Sequence, residues 1–145
     1  MLVKEIMSGT VQWIGPETTV YDAASKMREF NIGSLPVKGA DGLAGIITDR
    51  DIACRCVAQA WDPAKTTVKE AMTKDLTTCL DDERVDEAAR TMEAKKVRRL
   101  PVLNKQDELV GMLTLSDVAR GASYKLSGHV IAEVNRPGPV AATAN

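Results

Sequence analysis

The sequence predicts an α/β (α+β) fold in which two β-α-β-β-α repeats pack with pseudo-two-fold symmetry. Three observations predict it: the chain aligns with itself, each copy carries an apolar stripe at helical spacing, and each copy then shows two short apolar runs joined by a turn. The sheet in each copy has one face to bury, and two copies can bury these faces against each other. A chain of 145 residues is long enough for one such domain.

The internal repeat can be followed segment by segment. Three pairs of segments recur in the same order: VKEIM and VKEAM (3–7 and 68–72), LPV and LPV (35–37 and 100–102), and GIITDRD and GMLTLSD (45–51 and 111–117). The shift is 65 residues for the first two pairs and 66 for the last, because the second copy holds one extra residue. Ordered identities of this kind indicate a tandem duplication.

The duplication suggests a division of the chain. Residues 1–60 form the first repeat, 61–67 a linker, 68–122 the second repeat and 123–145 a C-terminal tail. In the tail, HVIAEV favours a short helix, whereas RPGPVAATAN is predicted to fray.

The first helix of each repeat is predicted from apolar spacing. Four residues lie on one helical face at i, i+3, i+4 and i+7: Val20, Ala23, Ala24 and Met27. The second copy repeats this stripe from Val85. Thr19, followed three residues later by Asp22, resembles a capping box at the start of the first helix. Upstream of the two helices, TVQWI and DLTTCL are weak strand candidates.

A hairpin and a second helix complete each repeat. SLPV and LAGIIT flank the turn KGADG in the first copy, and RLPVL and LVGMLT flank NKQDE in the second. The following helix is predicted to begin near Asp49 and to stop before Pro63. Its counterpart is predicted from near Ser116 to about Gly121.

Composition excludes several classes of function. With 44% hydrophobic and 27% charged residues the chain is typical of soluble globular proteins. A net charge of −1 gives no overall field for nucleic acid or an anionic membrane. We find no apolar run of the roughly 18 residues needed for a membrane span and no signal-peptide pattern. We therefore expect a cytoplasmic protein with no nucleic-acid partner and no membrane partner.

The repeated strand-to-helix junction is the strongest candidate site. Thr48 and Asp51 stand where a strand ends and a helix begins, as do Thr114 and Asp117. A helix start favours an anion such as a phosphate, and an Asp carboxylate can accept hydrogen bonds from the two hydroxyls of a ribose. Gly residues before each motif would let a main chain or a ligand approach the strand. A Thr followed three residues later by Asp is also a capping box, so capping alone remains an alternative.

Few residues suit catalysis or metal binding. Cys54 and Cys56 are two positions apart on a predicted helix, so their side chains diverge, and His129 is the only histidine. We find no nucleophile with a matching base. The sequence therefore predicts no enzyme, no metal site and no required cofactor.

Taken together, these motifs resemble a tandem pair of CBS domains, the Bateman module. Repeats that open with VKEIM or VKEAM, carry LPV and close with GIITDRD or GMLTLSD cover about four fifths of the chain. The chain is also similar to stand-alone bacterial CBS-pair proteins of the hypoxic-response type. The resemblance implies two repeats packed sheet to sheet, two clefts that hold adenosyl compounds (AMP, ADP, ATP, NAD or S-adenosylmethionine), and a homodimer.

The resemblance also implies roles for individual residues. Asp51 and Asp117 would bind the ribose hydroxyls, with Thr48 and Thr114 on the ribose or phosphate. The residues before the mid-repeat proline would line the base and phosphate walls: Ile32, Gly33 and Ser34 in one copy, and Val97, Arg98 and Arg99 in the other. Arg50 is a further candidate phosphate contact. Because KKVRR (95–99) has no basic equivalent in the first copy, the two clefts are expected to differ in affinity; KKVRR as a solvated helix end is the alternative.

Two functions follow from these observations. The first is a regulatory module that binds an adenine nucleotide or another adenosyl small molecule and signals in trans, to an unknown protein effector or within a homodimer. The alternative is a structural or protein-interaction module without a ligand, in which the T-x-x-D motifs act only as helix caps.

Overall fold

The computed structural model describes residues 1–138. The helices are α1 Val3–Ile6, α2 Val20–Phe30, α3 Asp49–Asp51, α4 Val68–Ala71, α5 Val85–Lys95, α6 Leu115–Gly121 and α7 Tyr124–Val134; the strands are β1 Ser34–Gly39, β2 Gly42–Thr48, β3 Cys79–Leu80, β4 Arg99–Leu103 and β5 Leu109–Thr114. A π-helical segment, Ile52–Val57, continues α3. The mixed α/β class predicted from the sequence is confirmed.

The chain forms two compact units, which we call the first unit and the second unit. The first unit is Gln12–Leu76, and the second combines Met1–Val11 with Thr77–Asn145, of which residues 77–138 are described. The predicted repeats at 1–60 and 68–122 rest on similarity along the chain, whereas the units are defined by contacts in space. As a result, α1 belongs to the second unit although it lies in the first repeat, and α4 belongs to the first unit although it lies in the second repeat.

The first unit is built on the hairpin β1–β2. The strands pair antiparallel from Ser34↔Thr48 to Gly39↔Gly42, and Gly42 has φ +99°, a left-handed turn conformation that favours glycine. The core beside the hairpin contains Val20, Ala23 and Met27 of α2. The helix begins at the predicted cap, since the Thr19 side chain accepts from the Asp22 N–H at 3.1 Å.

The second unit repeats this plan with one more strand. Strands β4 and β5 pair antiparallel from Arg99↔Thr114, and β3 pairs in parallel with β4 at Cys79↔Val102. Four α5 residues are buried, as the stripe predicts: Val85, Ala88, Ala89 and Met92. Helix α7 adds Val130 and Val134 to the same core.

Local irregularities recur at equivalent positions in the two copies. α2 ends at Asn31 with φ 52° and α5 ends at Lys96 with φ 54°, both left-handed. The first hairpin shifts register after Val37 and the second after Val102. These matched irregularities support the duplication independently of the identical residues.

The short VKE helices are held by the loops that precede the long helices. In the second unit the α1 amides of Val3 and Lys4 donate to main-chain oxygens of residues 83 and 81, each at 2.9 Å. In the first unit the α4 amides of Val68 and Lys69 donate to oxygens of residues 18 and 16, at 2.7 and 2.9 Å. Each unit therefore contains a VKE helix from the other sequence repeat.

Several predicted elements differ in detail. TVQWI forms only a parallel bridge, Ile14↔Val37, and DLTTCL forms only the two-residue β3, so both weak strand candidates are shorter than predicted. Ala24, predicted on the apolar face of α2, is exposed, because the buried face of this helix is narrower than that of α5. The helix after Asp49 becomes π-helical, and its helical part ends at Val57, before the expected limit at Pro63.

The linker contacts α2, and the tail helix is longer than predicted. The linker packs back on α2, since Val20 and Tyr21 donate their amides to Thr66 and Pro63 oxygens at 2.9 and 3.0 Å. The tail helix begins at Tyr124 rather than near His129, with the Ser123 side chain as its N-cap. The last part of the segment predicted to fray, 139–145, lies outside the described residues. Among residues 1–138 no helix is long and apolar enough to cross a membrane.

The glycine that opens each repeated motif lies against main chain. A Cβ added at Gly45 would lie 2.7 Å from the Thr73 oxygen and 2.8 Å from Met72 Sδ. A Cβ at Gly111 would similarly collide with Met7 and Ser8. The close approach allowed by these glycines is therefore used by the segment that follows each VKE helix.

We predict that Gly45→Ala destabilises the protein by about 1–3 kcal/mol, because the added methyl must displace packed main chain. Gly128→Ala is the matched control: it lies in α7 with no heavy atom within 4 Å of the added Cβ. There we expect a gain of about 0.5–1 kcal/mol from reduced unfolded-state entropy. Urea unfolding measures both changes, and equal shifts for the two variants would contradict the close approach.

Candidate functional site

The first T-x-x-D junction joins β2 to α3. Thr48 Oγ1 accepts from the Asp51 amide at 3.0 Å, and the Thr48 amide donates to Asp51 Oδ2 at 3.0 Å. This is the reciprocal capping box that the sequence predicts. The bond to the Thr48 amide occupies Oδ2 and leaves Oδ1 facing other groups.

Two side chains outside the motif approach the Asp51 carboxylate. The Thr73 hydroxyl lies 3.3 Å from Oδ1, and Arg55 Nε lies 4.0 Å from the same oxygen. Arg55 does not come closer because its Nη1 donates to the carbonyls of Ala71 and Met72, at 3.1 and 2.7 Å. The Asp51 side chain is 13% exposed, and at 4.0 Å its ion pair with Arg55 is long.

The second T-x-x-D junction joins β5 to α6 with tighter contacts. Asp117 Oδ2 accepts from the Thr114 amide at 2.8 Å and from Thr114 Oγ1 at 2.7 Å. Asp117 Oδ1 accepts from Arg120 Nη2 at 2.7 Å, an ion pair within the first turns of α6. Both oxygens of Asp117 are thus engaged, while Arg120 itself is 73% exposed.

The segment before each mid-repeat proline is tied to the junction by its main chain. In the first unit the Asp49 amide donates to the Gly33 oxygen at 3.0 Å, and in the second the Leu115 amide donates to the Arg98 oxygen at 2.8 Å. The next residue pairs with the Thr across the hairpin, as Ser34↔Thr48 and Arg99↔Thr114. The main chain of this segment therefore lies beside the junction in each copy.

The two hydrophobic members of the predicted set serve the core. Ile32 is partly buried against the first-unit core, and Val97 against the second-unit core. Each donates its amide to the end of the preceding helix, Ile32 to Met27 at 2.9 Å and Val97 to Met92 at 3.1 Å. These contacts fix the main chain that leads into Gly33 and Arg98.

The side chains around the two junctions differ in charge, with one more carboxylate at the first and more guanidinium groups at the second. In the first unit Asp49 accompanies Asp51, and its Oδ2 lies 3.0 Å from a Cβ built on Gly33. The second unit has Leu115 at the position of Asp49 and Arg98 at the position of Gly33. Arg50 is exposed on α3, where its amide donates to Asp49 Oδ1 at 2.8 Å.

The Arg98 side chain points to the C-terminal helix. Its Nη2 donates to Oδ1 of Asn135, the residue that caps α7. Lys96 likewise donates its Nζ to the main-chain oxygen of Glu133 in the last turn of α7. Two side chains of KKVRR, those of Lys96 and Arg98, therefore contact α7, and both residues remain exposed.

Four polar contributors near the junctions were not predicted: Arg55, Thr73, Arg120 and Asn135. Arg120 lies one helical turn after Asp117, so an i, i+3 charge rule could have found it. Thr73 and Asn135 are 22 and 37 residues from their partners, and no local pattern indicates such contacts.

The described residues offer little for metal coordination. Among residues 1–138 no group of three or more His, Cys, Asp or Glu side chains lies close enough to hold an ion. Cys54 is exposed, whereas Cys56 and Cys79 are buried. Burial, with a smaller effect of Glu83, raises the pKa of the Cys79 thiol to about 12, so this thiol stays protonated at neutral pH.

The family of the chain follows from comparison with known proteins. The CBS domain model matches residues 3–56 and 68–124, which places one domain on each repeat. The chain belongs to the CBS domain family. Its tandem arrangement makes it a CBS pair, as the repeated motifs predict.

Relatives of similar length share the pair. The CBS domain-containing protein YhcV of Bacillus subtilis is 38% identical over 117 residues, covering 81% of this chain and 82% of that protein. Hypoxic response protein 1 of Mycobacterium tuberculosis is 36% identical over 118 residues, covering 81% and 82%. The resemblance to the hypoxic-response type is therefore confirmed.

Solved CBS pairs have the same fold. The CBS pair of protein MJ0100, in complex with 5′-methylthioadenosine and S-adenosyl-L-methionine, aligns with TM-score 0.74 and 34% identity, covering 83% of this chain and 94% of that one. CBSX2, in complex with AMP, aligns with TM-score 0.71 and 27% identity, covering 83% and 95%.

We predict that Asp117→Asn destabilises the protein more than Asp51→Asn. Asp117→Asn removes the charged acceptor of Thr114 and Arg120, which should lower the free energy of unfolding by about 1–2 kcal/mol. The contacts of Asp51 are longer, so Asp51→Asn should lower it by less than about 1 kcal/mol. Urea unfolding measures both variants, with Ser116→Ala, an exposed change in α6, as the control. A larger loss for Asp51→Asn would contradict the assignment of the tighter capping box to the second unit.

Proposed function

We propose that this CBS pair is a non-enzymatic regulatory module that binds adenosyl compounds at its T-x-x-D junctions. The observation that carries the proposal is the Asp51 carboxylate, which uses Oδ2 as a helix cap and presents Oδ1 with only long contacts, to Thr73 at 3.3 Å and Arg55 at 4.0 Å. A carboxylate oxygen of this kind can accept a hydrogen bond from a ribose hydroxyl. Complexes of MJ0100 and CBSX2 with adenosyl compounds support the ligand class.

The charges support a division of ligands between the junctions. Asp49 and Asp51 disfavour a phosphate beside the first junction, which therefore suits an adenosyl ligand without phosphate, such as 5′-methylthioadenosine. Arg98 and Arg99 give the second junction guanidinium groups for a phosphorylated ligand such as AMP. In the first unit Ser34 would face the ribose beside Thr48. Arg50 would contact a phosphate only if the adenosyl ligand carried one far from the ribose.

Signalling would follow from linkage. A ligand shifts the protein toward the conformation that it binds more tightly, by no more than the difference in its affinity for the two conformations. The proposed output acts in trans, through a protein effector or a second copy of the chain in a homodimer.

The alternative function, an interaction module without ligand, is supported by one observation. Both capping boxes are complete, so the Thr and Asp residues already have a structural use. The capping box uses one carboxylate oxygen of each Asp, which accepts from the Thr amide, and the Thr Oγ1, which accepts from the Asp amide. Ligand titration of variants that keep or lose the second carboxylate oxygen distinguishes the two functions.

We predict that the wild-type chain binds both 5′-methylthioadenosine and AMP, and that two variants separate them. Asp51→Asn should lower the affinity for 5′-methylthioadenosine by about tenfold, since a hydrogen bond to a charged acceptor contributes about 1.5 kcal/mol or more. Asp117→Asn should instead lower the affinity for AMP. Isothermal calorimetry at a temperature where all variants are folded measures both, with Ser116→Ala as control. Absence of binding tighter than millimolar by the wild type would favour the interaction module.

We further predict that Arg120→Gln raises AMP affinity modestly. The change frees Asp117 Oδ1 for a ribose hydroxyl, but the ion pair is exposed and contributes only about 0.2–1 kcal/mol, so the gain should not exceed about fivefold. Calorimetry with AMP measures it, and 5′-methylthioadenosine serves as the control ligand. A large loss of AMP affinity would instead mean that Arg120 itself contacts the ligand.

A further inference from the structure

The second unit contains a cation that is shared between its junction and its C-terminal helix. The main chain of Arg98 is fixed at the junction by its carbonyl, which accepts from Leu115 at 2.8 Å. Its guanidinium extends away to the side-chain oxygen of Asn135 at the end of α7. The main chain of Arg98 is thus bound at the junction, while its guanidinium is bound at the end of α7.

The contact at Asn135 can be lost without opening the core. Helix α7 is held by Val130 and Val134, which are 0% and 7% exposed, and by the buried Ser127 hydroxyl, which donates to the Val118 oxygen at 3.0 Å. Asn135 is itself exposed, and its amide group caps the Ile131 oxygen at 2.9 Å. Within residues 1–138 the Arg98 side chain is held by this surface hydrogen bond to Asn135.

A phosphate would be the stronger partner for Arg98. A guanidinium can form two parallel hydrogen bonds with a phosphate of opposite charge, whereas the Asn135 amide oxygen is neutral and accepts one bond from Arg98. A guanidinium that turns to a phosphate at the junction must leave Asn135. Lys96 stays bound to the Glu133 oxygen in the same helical turn, so this turn would lose one of its two cations and keep the other.

We propose that Asn135 is a positioning residue that sets the phosphate selectivity of the second junction by holding Arg98. The last turn of α7 and a phosphorylated ligand compete for the same guanidinium. Binding of that ligand therefore releases the Asn135 contact and loosens the C-terminal turn of α7. This inference rests on the proposed function, and it adds α7 as the element that changes when ligand binds.

The test compares two ligands on four proteins. The proteins are the wild type, Asn135→Ala, Arg98→Ala and the double variant; the ligands are AMP and 5′-methylthioadenosine, which differ in the phosphate. Asn135→Ala should raise AMP affinity by about three- to tenfold, because the competing hydrogen bond is gone. It should leave the affinity for 5′-methylthioadenosine unchanged. In the Arg98→Ala background the same change should have no effect on AMP, which makes the two residues non-additive. Tyr124→Ala, 97% exposed at the other end of α7, is the neutral control.

Hydrogen exchange gives a second readout that a purely structural role would not change. AMP should speed exchange of the amides at 131–135 in the wild type, and 5′-methylthioadenosine should not. In Arg98→Ala these amides should exchange fast without ligand and show no response to AMP. Equal AMP affinity for wild type and Asn135→Ala, with both proteins binding AMP, would overturn the inference and leave the proposed function standing. If neither protein bound any adenosyl compound, both proposals would be wrong.

Discussion

The hydrogen bond from each motif Thr amide to the Asp three residues later is the interaction on which both junctions depend. Thr48 is the last residue of β2 and the N-cap of α3, so this one bond fixes the angle between strand and helix. The amide of the next residue then reaches the Gly33 oxygen and fixes the segment that enters β1. The same sequence of bonds recurs at Thr114, Asp117 and Arg98. A carboxylate used in this way is held rigidly, which is also what a binding site needs.

The exchange of the VKE helices adds a second constraint. α4 completes the first unit, and the segment after it lies against Gly45 through the paired residues Ile46↔Thr73. α1 does the same for the second unit through Ser8↔Met112. Neither sequence repeat contains all the segments of one spatial unit, since Val68, Ala71 and Met72 of the second repeat lie in the core of the first unit. Thr73, which follows α4, reaches Asp51 through the same exchange.

Much of the fold could be predicted because it is local. The stripe from Val85, the cap at Thr19 and both capping boxes depend on residues within one or two helical turns of each other. Ala24 shows the limit, since its spacing matches that of buried Ala89 while its exposure depends on which neighbours cover α2. The site residues that could be predicted were likewise those in a local sequence pattern. Thr and Asp followed from spacing, whereas Thr73 and Asn135 lie too far along the chain for any periodicity to indicate them. The direction of the Arg98 side chain was equally inaccessible, because a basic segment does not state which of several acceptors each cation will bind.

The two copies have kept their main-chain geometry and changed their side chains. Gly33 and Arg98 occupy the same position and accept the same kind of amide hydrogen bond through their carbonyls, so the substitution leaves the junction intact. Because the bond uses the main chain, this position was free to gain a charge in one copy, while the neighbouring position became Asp49 in the first and Leu115 in the second. A glycine beside a carboxylate favours an uncharged ligand, and an arginine with a neutral neighbour favours an anionic one. On the proposed function, the pair would respond to the ratio of phosphorylated to unphosphorylated adenosyl compounds. In the part of the chain that the structure describes, α7 contacts Arg98 of the second copy. On the proposed function, occupancy of the charged site is therefore what would change the surface at the end of α7.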